Sequence, residues 1–186
     1  MTKCSVFIAT SLDGYIARPN GSIDWLIKAN ETMPFSEDGG YSQFMSNIDA
    51  IIMGRTTFEQ VLTFGEWQYK TTPLIVLSRS LKVLPKNTPD SVSLLSGNPK
   101  DLVGYLSATG LKRLYIDGGL TIQNFLKAGM INEITITVIP ILLGAGKPLF
   151  GHLSHDIQLK LLETRTYNFG FVQSKYHVIN KSHSRR

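Results

Sequence analysis

Short apolar runs, each closed by a glycine or a polar pair, alternate along the first two thirds of the chain with segments whose apolar residues recur at helical spacing. Residues 4–10 (Cys-Ser-Val-Phe-Ile-Ala-Thr) read as a central strand ending near Asp13-Gly14, a strong turn signal. Residues 49–54 (Asp-Ala-Ile-Ile-Met-Gly) form a second buried run. It passes through Gly54 straight into a segment that sets Phe58, Val61 and Leu62 on one helical face. Residues 72–79 are a further strand ending in Ser78-Arg79, 92–95 a short one, and 101–109 a helix stopped by Gly110. Residues 112–126 repeat strand, glycine turn and helix through Asp117-Gly118-Gly119.

The last third changes period. Residues 133–139 alternate β-branched side chains up to Pro140, and 157–167 and 171–179 read as two strands joined around Asn168-Phe169-Gly170. The pattern predicts βα units first and an antiparallel pair closing the same sheet, an α/β class. No repeat, low-complexity stretch or linker interrupts it, so 1–180 read as a single domain followed by a basic tail, 181–186.

Between the first two strands, Pro19-Asn20-Gly21-Ser22 leads into Asp24-Trp25-Leu26, turn chemistry mixed with large apolar side chains. Ser22 is placed to cap a short helix from Ile23. Trp25 has two readings, a cover over a ligand or a plug that packs the loop onto the core. Residues 31–40 are polar and end in Asp38-Gly39-Gly40. A helix with Tyr41, Phe44, Met45 and Ile48 on one face follows.

The two strand–glycine–helix segments carry the candidate chemistry. A helix start presents unpaired N–H groups at the positive end of its dipole, and Gly54 lets a ligand approach while Arg55, Thr56 and Thr57 add a cation and two hydroxyls. The alternative is a helix capped by threonine with Arg55 in water. Gly118-Gly119 permits positive φ and a concave run of N–H groups, again suited to an anion or pyrophosphate.

Composition narrows the classes. The net charge of the 186 residues is +5, three of it in Lys181, Arg185 and Arg186, and no internal basic run marks a nucleic-acid binder. The single cysteine, Cys4, allows no intrachain disulfide and fits a reducing cytoplasm. Neither a signal peptide nor a membrane-length apolar run is present. Gly144-Ala145-Gly146-Lys147 imitates a P-loop, but Ile141 stands where its first glycine belongs and Pro148 where Ser or Thr would bind magnesium. His152 and His155 lack a completing ligand cluster, so no metal is expected.

Taken in order, Ala9-x-Ser11-Leu12-Asp13-Gly14-x-Ile16-Ala17, Met53-Gly54-Arg55-x-Thr57-Phe58, Leu77-Ser78-Arg79 and Asp117-Gly118-Gly119 resemble the dihydrofolate reductase superfamily. The segment from Pro140 to Phe150 resembles more closely the C-terminal reductase domain of RibD and its stand-alone relatives. The resemblance implies a three-layer sandwich with a mostly parallel eight-stranded sheet and an antiparallel C-terminal edge. It implies NADPH as cofactor and a homodimer. By position, Gly54, Arg55, Thr56 and Thr57 would hold cofactor phosphate. Leu77, Ser78 and Arg79 would face the adenosine 2′-phosphate, a dianion that suits a guanidinium fork. Asp117, Gly118, Gly119, Leu120 and Thr121 would line the pyrophosphate and nicotinamide, with Ala9 and Ile16 packing nearby. The implied reaction is hydride transfer to a pyrimidine- or pterin-like heterocycle, in the RibD-like branch a ribosylated aminopyrimidine phosphate. Dihydrofolate reduction, or binding without turnover, is the alternative. Thr137 matches a position lining the substrate cleft, Lys147 is a candidate phosphate receptor, and Trp25 and Phe44 are further candidate substrate contacts. The candidate catalytic carboxylates are Asp13, whose alternative reading is a plain turn with Gly14, and Asp38, which matches the folate-gripping position but precedes two glycines that predict a loop.

Overall fold

The computed structural model describes residues 2–86 and 88–180; the expected tail, 181–186, lies outside the described residues. Its first half contains β1 (Lys3–Ser11), β2 (Tyr15–Ala17), α1 (Asp24–Asn30), α2 (Tyr41–Met45), β3 (Ala50–Gly54), α3 (Arg55–Val61), β4 (Leu74–Leu77) and β5 (Val92–Leu95). There follow α4 (Pro99–Ala108), β6 (Arg113–Asp117), α5 (Gly119–Lys127), β7 (Glu133–Ile139), β8 (Lys147–Pro148), β9 (Gln158–Thr166) and β10 (Val172–Ile179). Eight strands form one sheet in the order β5-β4-β3-β6-β1-β7-β10-β9. Neighbours from β5 to β7 pair in parallel, while β10 runs antiparallel to both β7 and β9.

The two-residue period of the strands sorts their side chains into two cores. Cys4 and Val6 of β1, Ala50 and Ile52 of β3 and Leu114 and Ile116 of β6 pack under α4 and α5, against Val103, Leu106, Ile122, Phe125 and Leu126. The alternate residues Ile51, Met53, Leu74, Val76 and Tyr115 face the other way, onto Phe58 and Val61 of α3 with Tyr41 and Phe44 of α2 beside them. Both faces of the central strands are covered, which is why those strands read as continuous apolar runs. The three-layer α/β architecture expected from the sequence is the one observed. Cys4 is fully buried on the α4–α5 side.

The central feature is the pairing of β3 with β6, whose register ends at Met53 opposite Asp117. The glycine turns after these strands therefore lie side by side, and they interlock. A side chain on Gly54 would meet the Thr121 hydroxyl of α5 at 3.0 Å, and one on Gly118 would overlap the Thr57 hydroxyl of α3. Each turn leaves space for the first-turn threonine of the other's helix. Gly118 also adopts a φ of 86°, which favours glycine.

A small second sheet escaped the sequence reading. Strand β2 pairs antiparallel with the two-residue β8, Ala17 opposite Lys147. The 140–150 segment is tied along the 11–17 loop by Leu12 N–H to the Ile141 carbonyl (2.8 Å) and Leu149 N–H to the Gly14 carbonyl (3.0 Å). A side chain at Gly146 would strike the Ala17 carbonyl, so the P-loop-like glycine serves a close strand crossing. Among the described residues no helix is long and apolar enough to cross a membrane, and no group of three or more His, Cys, Asp or Glu gathers in metal-binding geometry.

Gly118→Ala is expected to cost about 1–3 kcal/mol from its backbone conformation alone, plus the overlap with Thr57. Adding Thr57→Ala should restore part of that loss. Urea unfolding of the single and double variants measures both; a Gly118→Ala protein as stable as the parent would refute the interlock.

Candidate active site

A cleft of about 2280 Å³ runs along the carboxyl ends of the strands, from β5 at one end to the β9–β10 turn at the other. Open α/β sheets characteristically bind ligands there, and this volume exceeds the 300–1,000 Å³ or so of a single drug-sized site. Fourteen expected cofactor positions line it: Ala9, Ile16, Gly54, Arg55, Thr56, Thr57, Leu77, Ser78, Arg79, Asp117, Gly118, Gly119, Leu120 and Thr121.

Helix starts along this edge differ in one respect. The side chain of Asn98 caps α4, accepting from the Asp101 N–H at 3.0 Å. Neither α3 nor α5 has a side-chain cap, and glycine occupies both N-cap positions. The threonine-capped reading of the Gly54 segment is therefore not what the fold adopts, and the first-turn N–H groups of both helices lack side-chain partners. At the outer end the Ser78 hydroxyl accepts from the N–H groups of Leu81 (2.9 Å) and Ser80 (3.3 Å), a turn that carries Arg79. Ser96, Gly97, Asn98 and Pro99 complete this end; they were not anticipated as lining residues, although Asn98-Pro99-x-Asp101 is a legible helix-start signal.

At the middle of the cleft, Ile16 closes over the glycine turn, its Cδ1 2.8 Å from where a Gly119 side chain would begin. Lys147 lines the cleft. Its ammonium lies 3.1 Å from where a Gly21 side chain would begin, and the Gly21 carbonyl accepts from Gln60 of the α3 helix at 3.0 Å. Lys147 thus sits beside the loop that leads into α1.

Asp117 lies deep on the floor, open only to the cleft. Burial pushes its carboxyl up to about 6, against the lowering effects of the Gly118 N–H at 2.8 Å and the Tyr115 hydroxyl. Three tyrosines lie near it, Tyr41 of α2, Tyr69 of the turn before β4 and Tyr115 of its own strand. The Tyr115 hydroxyl donates to the Phe7 carbonyl at 2.9 Å. Burial and then the Asp117 charge push the Tyr41 phenol up to about 12 and raise Tyr69 and Tyr115 as well. All three phenols stay protonated. Tyr115 and Asp117 share the two-residue period of β6, but Tyr41 and Tyr69 come from distant segments, so the cluster as a whole was not legible in the sequence.

The far end is aromatic and apolar, with Leu26, Met33, Ile139, Tyr167, Phe169 and Phe171 lining it. Thr137 is there, its hydroxyl accepting from Gln173 Nε2 at 2.9 Å; the same amide donates to the Gly39 carbonyl. Asp38 is at the rim, where it accepts from the N–H groups of Gly40 and Ser42, each at 2.8 Å, in a turn ahead of α2.

Three expected site residues do not line the cleft. Asp13 binds the 140–150 segment, accepting from the Ser11 hydroxyl (2.6 Å) and the Leu143 and Gly144 N–H groups (3.1 and 2.8 Å). Those donors hold its carboxyl below the usual range, the Ser11 hydroxyl most of all. Trp25 is buried under the far end with Ile139, Tyr167 and Phe171, so the packing alternative is the one realised. Phe44 packs edge-on against Tyr115 and tilted against Phe7, inside the α2–α3 core.

Comparison with known proteins bears on the family and the fold. The family model of the RibD C-terminal domain matches residues 2–172. The uncharacterized protein YwjB of Bacillus subtilis (strain 168) is 33% identical over 171 residues, covering 89% of this chain and 92% of the relative. A candidate riboflavin biosynthesis protein of Shewanella sp. PV-4 superposes with a TM-score of 0.89 at 42% identity, over 95% of this chain and 99% of the other. Dihydrofolate reductase from Enterococcus faecalis, solved with NADP(H), shares the fold with a TM-score of 0.61 at 14% identity, over 95% and 96%. The chain belongs to the RibD C-terminal domain family.

Proposed function

We propose that this protein is an NADPH-dependent reductase that delivers a hydride to a pyrimidine- or pterin-like heterocycle, with 5-amino-6-(5-phosphoribosylamino)uracil reductase as its nearest type of activity. The observation that carries this reading is the pair of interlocked, uncapped glycine turns on adjacent strands β3 and β6. Two unpaired helix starts side by side suit the two phosphates of one extended dinucleotide, and the glycines keep side chains out of its path. Bound there, NADPH would supply the hydride; the chain binds, orients, excludes water and handles the proton.

Each task has a candidate residue. Arg79, on the turn shaped by Ser78, fits the 2′-phosphate through a charge-assisted, bidentate contact. Ile16, packed over Gly119, shields the transfer point from solvent. Asp117 is the candidate proton source, because a carboxyl whose value is raised to about 6 keeps its proton well above the ordinary carboxylate range. Tyr41, Tyr69 and Tyr115 stay protonated beside it, the Tyr115 hydroxyl donating to the Phe7 carbonyl. A folate-type grip by Asp38 is the weaker reading, since its carboxylate already accepts from two backbone N–H groups.

Titration calorimetry with NADPH and NADH tests the cofactor assignment. Arg79→Ala should weaken NADPH about 10- to 100-fold, the equivalent of one lost charged hydrogen bond, and leave NADH nearly unchanged; equal losses would refute the phosphate role. Gly119→Val should obstruct the cofactor by displacing Ile16 while the protein stays folded, and an undiminished NADPH affinity would remove Gly119 from the cradle.

Asp117 generates a pH prediction. Its folded-state value, about 6, lies above the ordinary 3.8, so its contribution to stability is full below about pH 4 and is lost as the pH rises through 6. Asp117→Asn should flatten that limb of the stability profile. In turnover, the parent should lose rate as the pH rises through about 6, and the variant should lose about 100-fold in kcat with NADPH affinity retained. A variant with parental kcat would exclude Asp117 as the proton source.

A further inference from the structure

Strand β9 (Gln158–Thr166) ends the sheet order, and among the described residues β10 is its only neighbour. All nine of its residues are exposed, and three of them are leucines. Leu159, Leu161 and Leu162 keep 40%, 54% and 48% of their surface open. An edge of this length turns a row of N–H and C=O groups to solvent and is a template for a further strand. Lysine and a bulge commonly guard such an edge against foreign strands. Both occur in β9, and together they fit it to one particular partner.

The bulge is at Leu162. Leu161 pairs with Tyr176 of β10 and Glu163 with Lys175, so Leu162 is an extra residue between them. It resets which face each side chain takes. Before it, Leu159 stands opposite Val178, a buried member of the α4–α5 core, and Leu161 shares that face, while Gln158 and Lys160 take the other. Beyond it, Glu163 and Arg165 line a small pocket on the α2 side with Phe7 and Phe44, and Thr164 and Thr166 take the α4–α5 side. Odd and even residues thus exchange faces across Leu162.

In an antiparallel pair, residues directly opposite each other share a face. A second β9, related by a two-fold axis passing between Leu161 and Leu162, would set Lys160 opposite Glu163, Gln158 opposite Arg165 and Leu159 opposite Thr164. Each of these pairs matches in face only because of the bulge, since in a regular strand residues an odd number apart point opposite ways. The same alternation governs which residues turn N–H and C=O outward, so the ladder closes together with the side chains. Charge then selects the register. Neither Lys160 nor Glu163 has an ion-pair partner among the described residues, and Lys175, opposite Glu163, is bound to Glu133 at 3.2 Å. Sliding the second strand by two residues would instead face Lys160 with Arg165, like charges that oppose pairing.

We infer that this protein associates with a second copy of itself through β9, the two edges pairing antiparallel about a two-fold axis between Leu161 and Leu162, with Lys160 and Glu163 matched twice. Leu159, Leu161 and Leu162 of both chains meet on the α4–α5 face and supply the apolar area, while the two exposed edges become one continuous sheet. The same patch serves both copies, as a two-fold interface requires. It also reaches the cleft. Gln158 of the partner subunit stands opposite Arg165, whose guanidinium donates at 2.9 Å to Glu37 Oε2, and Glu37 lines the cleft.

Sedimentation velocity of the whole protein across micromolar concentrations should show a monomer–dimer equilibrium. Lys160→Glu and Glu163→Lys should each weaken it about ten-fold or more, because both matched pairs become like charges. The double variant Lys160→Glu/Glu163→Lys exchanges the charges and should return to within about three-fold of the parent. Disulfides read the register, since the one native cysteine, Cys4, is buried. A mixture of the Lys160→Cys and Glu163→Cys proteins should cross-link in air, its Cα atoms falling within the ~4.4–6.8 Å that a disulfide spans. Either protein alone holds its two cysteines three residues out of register, about 10 Å apart, and should not cross-link. A protein that stays monomeric leaves the edge to a chain of another kind and overturns the inference. Single charge reversals without effect, a double variant no better than the singles, or cross-linking that the mixture does not favour would overturn it equally.

Discussion

The reciprocal seat of Thr57 against Gly118 and of Thr121 against Gly54 is the contact on which the rest depends. It fixes the spacing of α3 and α5, which lie on opposite faces of the sheet, at the one edge where both begin. Because β3 and β6 are hydrogen-bonded neighbours, the two turns cannot drift apart without breaking the central ladder. A single packing constraint thus joins the α4–α5 core, the α2–α3 core and the cleft floor. Rigid strands carry the binding turns, and loops supply only the cover, an arrangement that holds a site in position better than loops alone.

The cover is itself tied down at one point. Asp13 binds the 140–150 segment through two backbone N–H groups, and β2 pairs with β8 beyond it. Ile16 projects from this assembly onto Gly119, so the loop after the first strand and the segment after β7 reach the cleft as one unit. The Asp13 carboxylate acts on the site only through this bracing, which explains its place between two lining segments without being part of the lining.

Much of the architecture was legible because period and punctuation are local. The runs at 49–54 and 112–117 are buried on both faces and end in glycine, and the helices after them show their spacing directly. The C-terminal hairpin announced itself through alternation around Asn168-Phe169-Gly170. What a local pattern does not encode is the direction in which a large side chain points: Trp25 and Phe44 have the composition of ligand contacts and the positions of core residues. A strand of two residues, β8, is too short to show any period. Asp117 was singled out for its glycines, whereas its raised carboxyl comes from burial among Tyr41, Tyr69 and Tyr115, a tertiary property of three separated segments. The Asn98 cap, by contrast, follows from its own tetrapeptide.

One further consequence attaches to the lone cysteine of β1. Cys4 is sealed in the α4–α5 core, and burial pushes its thiol up to about 12. Nucleophilic sulfur chemistry requires thiolate and access, and this residue offers neither. Peroxide, disulfide reagents and alkylating agents therefore find no handle on the folded molecule at that position, and reactivity of the sulfur toward such a reagent reports the opening of the central sheet.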